Sequence, residues 1–174
     1  MRKILIGLGN PGEKYKNTYH NAGAIVLYRL YDGAKKSAEN ERGGDTAQFR
    51  FAELKMENGD KNVFVWPKTF MNESGAAVRA VMKFFDAKNE EVVILHDDSD
   101  IALGEGKLSN SKNPAGHNGL ISIQKETGVY DFSRIRIGIR DPKEKIRRKA
   151  EDFVLKKISG GKLKLLYSPE LTAT

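Results

Sequence analysis

Short strand-like runs alternate along this chain with segments of helical period, and that alternation restricts its fold more than any other feature. Residues 2–8 (RKILIGL) form a continuous apolar run closed by Gly7, Gly9 and Pro11. Residues 92–96 (VVILH) form a second run, and residues 134–140 (RIRIGIR) alternate with period two. Both patterns belong to strands. Between them, Val78, Val81, Met82 and Phe85 fall at i, i+3, i+4 and i+7, one apolar stripe on a helix over 74–86. A helix over 22–32 is expected, with Asn21 as cap and Gly33 as stop. Another runs from a cap at Asn118 to about Thr127, stopped by Gly128. Residues 48–56 and 62–66 flank Glu57-Asn58-Gly59-Asp60, a hairpin signal that expects positive φ at both Asn58 and Gly59. Residues 103–109 are a further strand candidate, and residues 34–47 read as a polar loop. Residues 144–157 read as a charged helix with Val154 and Leu155 as its apolar contacts. Together these predict one α/β domain over residues 1–174, a mixed twisted sheet with helices on both faces.

Composition narrows the function classes. The chain has no cysteine, which excludes disulfides, thiolate metal sites and a cysteine nucleophile. Its apolar runs, such as Ala24–Leu27 and Val92–Leu95, are too short to cross a bilayer. Met1-Arg2-Lys3 leads straight into a strand without the apolar region and cleavage site of a signal peptide, so a cytoplasmic location is expected. The net charge of +7 is unevenly placed. Residues 1–100 hold 15 basic and 15 acidic side chains, whereas residues 101–174 hold 15 and 8. Such asymmetry suits a polyanionic partner, nucleic acid first, or else a well-solvated surface.

Four segments carry chemistry-bearing residues at strand ends or helix starts. Gly7, Gly9 and Gly12 match the G-x-G-x-x-G spacing of nicotinamide-binding proteins. Pro11, however, steers Asn10 away from the helix that motif requires, leaving a tight loop that projects Asn10. His20 lies between a strand end and a helix start, where an imidazole titrating near pH ~6.5 serves as a general base or as a structural group. In PKTFMNESG (67–75), Asn72 or Ser74 either caps a helix or faces a ligand. Ser74 lacks the nucleophile-elbow glycines. His96, Asp97, Asp98 and Asp100 follow a strand, and such carboxylates either hold Mg²⁺ or orient a histidine. His117-Asn118 at a helix start reads as a cap or as part of the same site.

Taken together, ILIGLGNPGEKYKNTYHNAGA, PKTFMNESGAAV, VVILHDDSD, GHNGLISI and DFSRIRIGI resemble the bacterial-type peptidyl-tRNA hydrolase family in order and spacing, over roughly residues 3–140. The resemblance implies hydrolysis of the ester joining a peptide to the 3′ ribose of tRNA, by a monomer needing no metal, no other cofactor, no membrane and no obligatory protein partner. Residue by residue, it implies that His20 is the base activating water and that Asp97 orients it. Asn10 would help discriminate N-blocked from free aminoacyl-tRNA. Tyr15, Phe70, Asn72 and Asn118 would contact substrate, and Met71 would line the same cleft. Arg134, Arg136, Lys145, Arg147 and Arg148 are candidate phosphate contacts, the first two on one strand face.

This sequence departs from the family pattern at Tyr19, where arginine is usual, and at Asp98-Ser99, where Glu-Leu is usual. Residues 109–116 (SNSKNPAG) replace a glycine-rich run, and the C-terminal part is short. The alternative to an ester hydrolase is a catalytically silent RNA-binding relative of the same fold.

Overall fold

The computed structural model describes residues 1–143, 149–167 and 170–173. Along the chain these form β1 (Arg2–Gly7), α1 (Ala22–Lys35), β2 (Ala38–Asp45), β3 (Phe49–Met56), β4 (Lys61–Pro67), α2 (Ser74–Phe85) and β5 (Val92–Ala102). There follow β6 (Glu105–Ser109), α3 (Asn118–Thr127), β7 (Ser133–Arg140), α4 (Gly160–Leu166) and β8 (Glu170–Ala173). The strands make one mixed sheet in the order β2-β3-β4-β1-β5-β7-β6-β8. Its centre, β4-β1-β5-β7, is parallel. Antiparallel pairs β2–β3, β3–β4 and β6–β7 flank it, and β8 joins β6 in parallel.

Strand β1 is apolar on both faces because both are covered. Ile4 and Ile6 pack with Val78, Val81 and Phe85 of α2 and with Leu120 and Ile123 of α3. On the opposite face, Ala22, Val26 and Leu27 of α1 pack with Leu95, Ile135, Ile137 and Leu166 of α4. Each fully buried Ile or Leu contributes about 1.5–3 kcal/mol. The N-terminus of α1 lies directly on the sheet. A Cβ on Gly7 would stand 2.7 Å from the Gly23 carbonyl oxygen, and one on Gly23 would run into that of Leu95. The glycine at position 7 therefore serves helix–sheet contact.

Several elements differ from the sequence expectation. Helix α1 continues through Gly33 to Lys35, because packing offsets the cost of about 1 kcal/mol for a helical glycine. Asn21 does not cap it with its side chain. The expected loop 34–47 contains β2, an edge strand exposed along most of its length and bearing Glu39, Glu41 and Arg42. Backbone pairing to β3 holds it, so it needs no apolar alternation. In the β3–β4 turn only Gly59 has positive φ, at 80°. Met56 accepts from the Gly59 N–H at 2.8 Å and donates to the Asp60 carbonyl at 2.9 Å, the three-residue form of hairpin. Of the expected helix over 144–157, residues 144–148 lie outside the described residues. The rest makes only a 3-10 turn, Ala150–Asp152. Val154 is buried, but Leu155 is exposed.

Candidate active site

The pairing of β1 with β5 ends at Gly7 and Leu95, and the site begins just beyond it. Open α/β sheets place ligands at such carboxyl ends. From β1 comes the loop bearing Asn10. Its N–H donates to Asn21 Oδ1 at 2.8 Å, and its carbonyl accepts from Asn21 Nδ2 at 3.0 Å. Asn21 thus clamps the loop instead of capping α1. Asn10 Oδ1 accepts from the Met71 N–H at 2.8 Å, which fixes the carboxamide plane. The Nδ2 group has no partner among the described residues and is left as a donor.

His20 occupies a 3-10 turn, Tyr19–Asn21, that leads into α1. Its N–H donates to the Val154 carbonyl at 2.8 Å. The ring Nδ1 lies 2.9 and 3.0 Å from the two carboxylate oxygens of Asp97, which is 4 % exposed. An ionised carboxylate accepts only, so Nδ1 carries the proton and Nε2 holds the lone pair. Burial works against charge on His20, but the attraction of Asp97 and the bond to it prevail, raising the imidazole pKa above its usual 6.5. Burial likewise opposes charge on Asp97. The charge and hydrogen bonds of its imidazole neighbours outweigh burial and hold its carboxyl far below the usual range.

His117, which the sequence offers as a cap or as part of the same site, does both. Nδ1 accepts from the Gly119 and Leu120 N–H groups at 3.1 and 3.4 Å, capping α3. That leaves the proton on Nε2, which donates to Asp97 Oδ1 at 2.9 Å. Asn118, expected as the cap, is instead the first helical residue. The available signal was position: a histidine opening a helix, after a strand that ends in carboxylates. His96, on β5, donates from Nδ1 to the Asp97 carbonyl at 2.8 Å. Burial, with His117 beside it, pushes the His96 imidazole down to about 3 and keeps it neutral. Of the two roles open to the aspartates, Asp97 takes that of orienting histidines. Asp98 instead accepts from Arg136 Nε at 2.7 Å, so the carboxylates diverge.

Two hollows meet here. A cleft of about 690 Å³ is lined by His20, Asp97, His117, Asn118, Arg136 and Lys149, among others. A groove of about 560 Å³ runs beside α2 and α3, past Asn72, Thr69, Ile121 and Asn118. Asn118 faces both. Tyr15 and Phe70 meet edge to face, centroids 6.1 Å apart, and Phe70 is exposed. Met71 does not line either hollow. Its side chain is 4 % exposed in the core, and its contribution here is the N–H that holds Asn10. Ser74 is buried and donates to the Met71 carbonyl at 2.8 Å, a helix start and not a nucleophile.

The basic residues behave unequally. Arg134, expected to meet phosphate, is only 4 % exposed because its guanidinium donates to main-chain carbonyls. Arg136 is partly buried against Asp98. Lys145, Arg147 and Arg148 lie outside the described residues, whereas Lys149 is exposed at the cleft mouth. His20, Asp97 and His117 also offer donor atoms within 4.8 Å of one another, a spacing that suits a cation. A metal there would have to replace the protons that now join both rings to Asp97.

An imidazole oriented by a buried carboxylate, opening on a cleft at the carboxyl ends of parallel strands, defines a general-base hydrolase of the α/β class. The family model described as peptidyl-tRNA hydrolase matches residues 4–170. The peptidyl-tRNA hydrolase of Ligilactobacillus salivarius is 38 % identical over 145 residues, covering 82 % of this chain and 74 % of that one. That of Kineococcus radiotolerans is 38 % identical over 158 residues, covering 90 % and 79 %. The crystal structure of peptidyl-tRNA hydrolase from Acinetobacter baumannii superposes with a TM-score of 0.79 at 30 % identity, covering 95 % of this chain and 81 % of that one. The chain belongs to the peptidyl-tRNA hydrolase family.

Proposed function

We propose that this chain hydrolyses the ester between a peptide and the 3′ ribose of tRNA, with His20 as the base. The observation that carries the mechanism is the His20–Asp97 pair, which directs a lone pair on Nε2 toward the cleft. A water gives its proton to Nε2 as its oxygen bonds to the ester carbon. The carbonyl electrons move onto oxygen, where carboxamide donors can stabilise the charge. Asn10 Nδ2, Asn72 and Asn118 are the candidates, a good donor contributing about 2.7–4 kcal/mol. Collapse restores the carbonyl and breaks the bond to the ribose oxygen, which takes the proton back from the imidazolium. The products are a free peptide and a tRNA with its 3′ hydroxyl. Asp97 stabilises the imidazolium while it lasts, and His117, donating to the same oxygen, fixes the carboxylate.

Tyr15, Phe70, Asn72 and Asn118 are proposed to hold the terminal nucleotide and peptide backbone, and Asn10 to test for an N-blocked amino group. Arg136, Lys149 and the basic segment before it are proposed to meet phosphate. Action as a monomer without an obligatory protein partner is part of this proposal. No described helix is long and apolar enough to cross a membrane. Action on a translation intermediate supports a cytoplasmic location.

The test is release of N-acetyl-aminoacyl groups from tRNA, with unblocked aminoacyl-tRNA as control. The expected result is cleavage of the blocked ester, little of the free one, and the same rate in EDTA. Binding of tRNA without cleavage would favour the silent relative. Loss of activity in EDTA would replace direct hydrolysis with a metal-dependent route.

A further inference from the structure

Arg134 departs from the usual habit of a surface strand arginine. Its Nη1 donates to the Asn113 carbonyl at 2.8 Å and its Nη2 to the Tyr130 carbonyl at 3.1 Å. Taking a guanidinium out of water is costly unless its donors are used. Here the two carbonyls lie on either side of α3, one on the segment that enters the helix and one on the segment that leaves it. A single fork therefore spans both ends.

The entering segment is the one that departs from the family pattern, and it is strained. Ala115 has φ of 48° and Gly116 has φ of 76°. The His117 N–H closes the turn on the Pro114 carbonyl at 2.9 Å. A left-handed alanine is disfavoured by the clash of its Cβ and persists only where the surroundings over-determine it. Among the described residues, two side-chain ties hold the segment from outside: Arg134 on Asn113, and Gln124 Nε2 on the Lys112 carbonyl at 2.6 Å. The turn delivers His117, whose ring is committed at one nitrogen to the helix and at the other to Asp97. Strand register pairs Ile94 with Arg134 and His96 with Arg136, so a buried neutral imidazole lies on the face the two guanidiniums share.

We propose that Arg134 is a positioning residue. By holding the carbonyls of Asn113 and Tyr130, it keeps the Pro114–His117 turn closed and so sets His117 against Asp97. This role replaces the phosphate contact expected from the sequence, and its kinetic consequence rests on the proposed ester hydrolysis.

Arg134→Lys separates the two roles. Lysine keeps the charge that phosphate needs but has no fork to serve two diverging carbonyls. The expected result is a kcat about tenfold lower or worse, as for other supporting residues. KM and its salt dependence stay unchanged, and the His117 ring ¹⁵N signals lose the Nε2–H tautomer pattern. Gln124→Ala, which loosens the second tie at a partly exposed site, moves kcat and those signals the same way by less. Arg134→Lys with wild-type kcat and an unchanged His117 spectrum would overturn the proposal. So would Arg134→Gln with intact kcat, raised KM and a salt slope shallower by about one. Should neither arginine variant fold, an unaltered kcat and spectrum in Gln124→Ala would overturn it instead. If the wild-type chain cleaves no ester, the proposed function falls, while the His117 spectra still decide whether Arg134 holds the turn.

Discussion

The cluster around Asp97 and the basic rim of the same cleft are built on opposite terms. Around Asp97 almost nothing is exposed, and every oxygen of that residue has a fixed partner. Both carboxylate oxygens face His20, one also faces His117, and the carbonyl of the same residue takes His96. At the rim, Lys149 is 81 % exposed and its contact with Glu151 is loose, at 3.8 Å. Charges in the buried cluster interact strongly and resist salt, whereas those at the rim are screened within a Debye length. The cluster can therefore set reactivity and the rim can set capture. Loss of either should leave a distinct kinetic signature.

The sharpest break is His20→Ala, which removes the base while the fold and rim stay intact. Its kcat should fall by about 10³–10⁴-fold, the upper range for a general base, with little change in tRNA binding. Full activity in that variant would end the assignment. Asp97→Asn comes next, with kcat down about 10²–10³-fold, since the ring would lose both its orientation and its countercharge. The same variant tests the pH response. Only neutral His20 accepts a proton, so kcat/KM should rise with pH through the imidazole pKa and then level off. Because Asp97 raises that pKa above 6.5, the wild-type midpoint should lie above 6.5 and move downward in Asp97→Asn. An unmoved midpoint would detach the profile from the pair. His117→Ala should cost about ten- to a hundredfold in kcat, as an indirect support does, with its pH midpoint close to wild type. The smallest effect is expected at the rim. Lys149→Ala should raise KM severalfold, leave kcat alone and make the salt slope shallower by about one. A kcat effect there would blur the division drawn above.

How well the sequence foretold each region follows the same line. Strand β7 and helix α2 were readable because an apolar face leaves a period, as in Val78, Val81 and Phe85, and β1 because burial on both faces leaves a continuous apolar run. Strand β2 was not, since an exposed edge held by backbone bonds leaves none. Asn10, His20 and Asp97 stood out as polar residues at element ends, and the structure brings His20 and Asp97 into contact. The second role of His117 depends on which nitrogen the α3 N–H groups occupy, and no spacing encodes that. Arg134 looked like its neighbour Arg136 on an alternating strand. What separates them is a pair of carbonyls from residues 113 and 130, a tertiary fact. Met71 misled for a related reason, because its backbone serves the site and its side chain serves the core.

One consequence of the contact between Gly7, Gly23 and Leu95 reaches the chemistry. His20 stands three residues before Gly23, in the 3-10 turn that leads into a helix seated against the strands at Gly7 and Gly23, while Asp97 belongs to the strand on which that helix rests. The gap between base and carboxylate is therefore a mechanical tolerance, machined by the absence of two methyl groups. A spacer as thin as one carbon, placed far from any reacting atom, would lift the base off its anchor and detune the site without touching it.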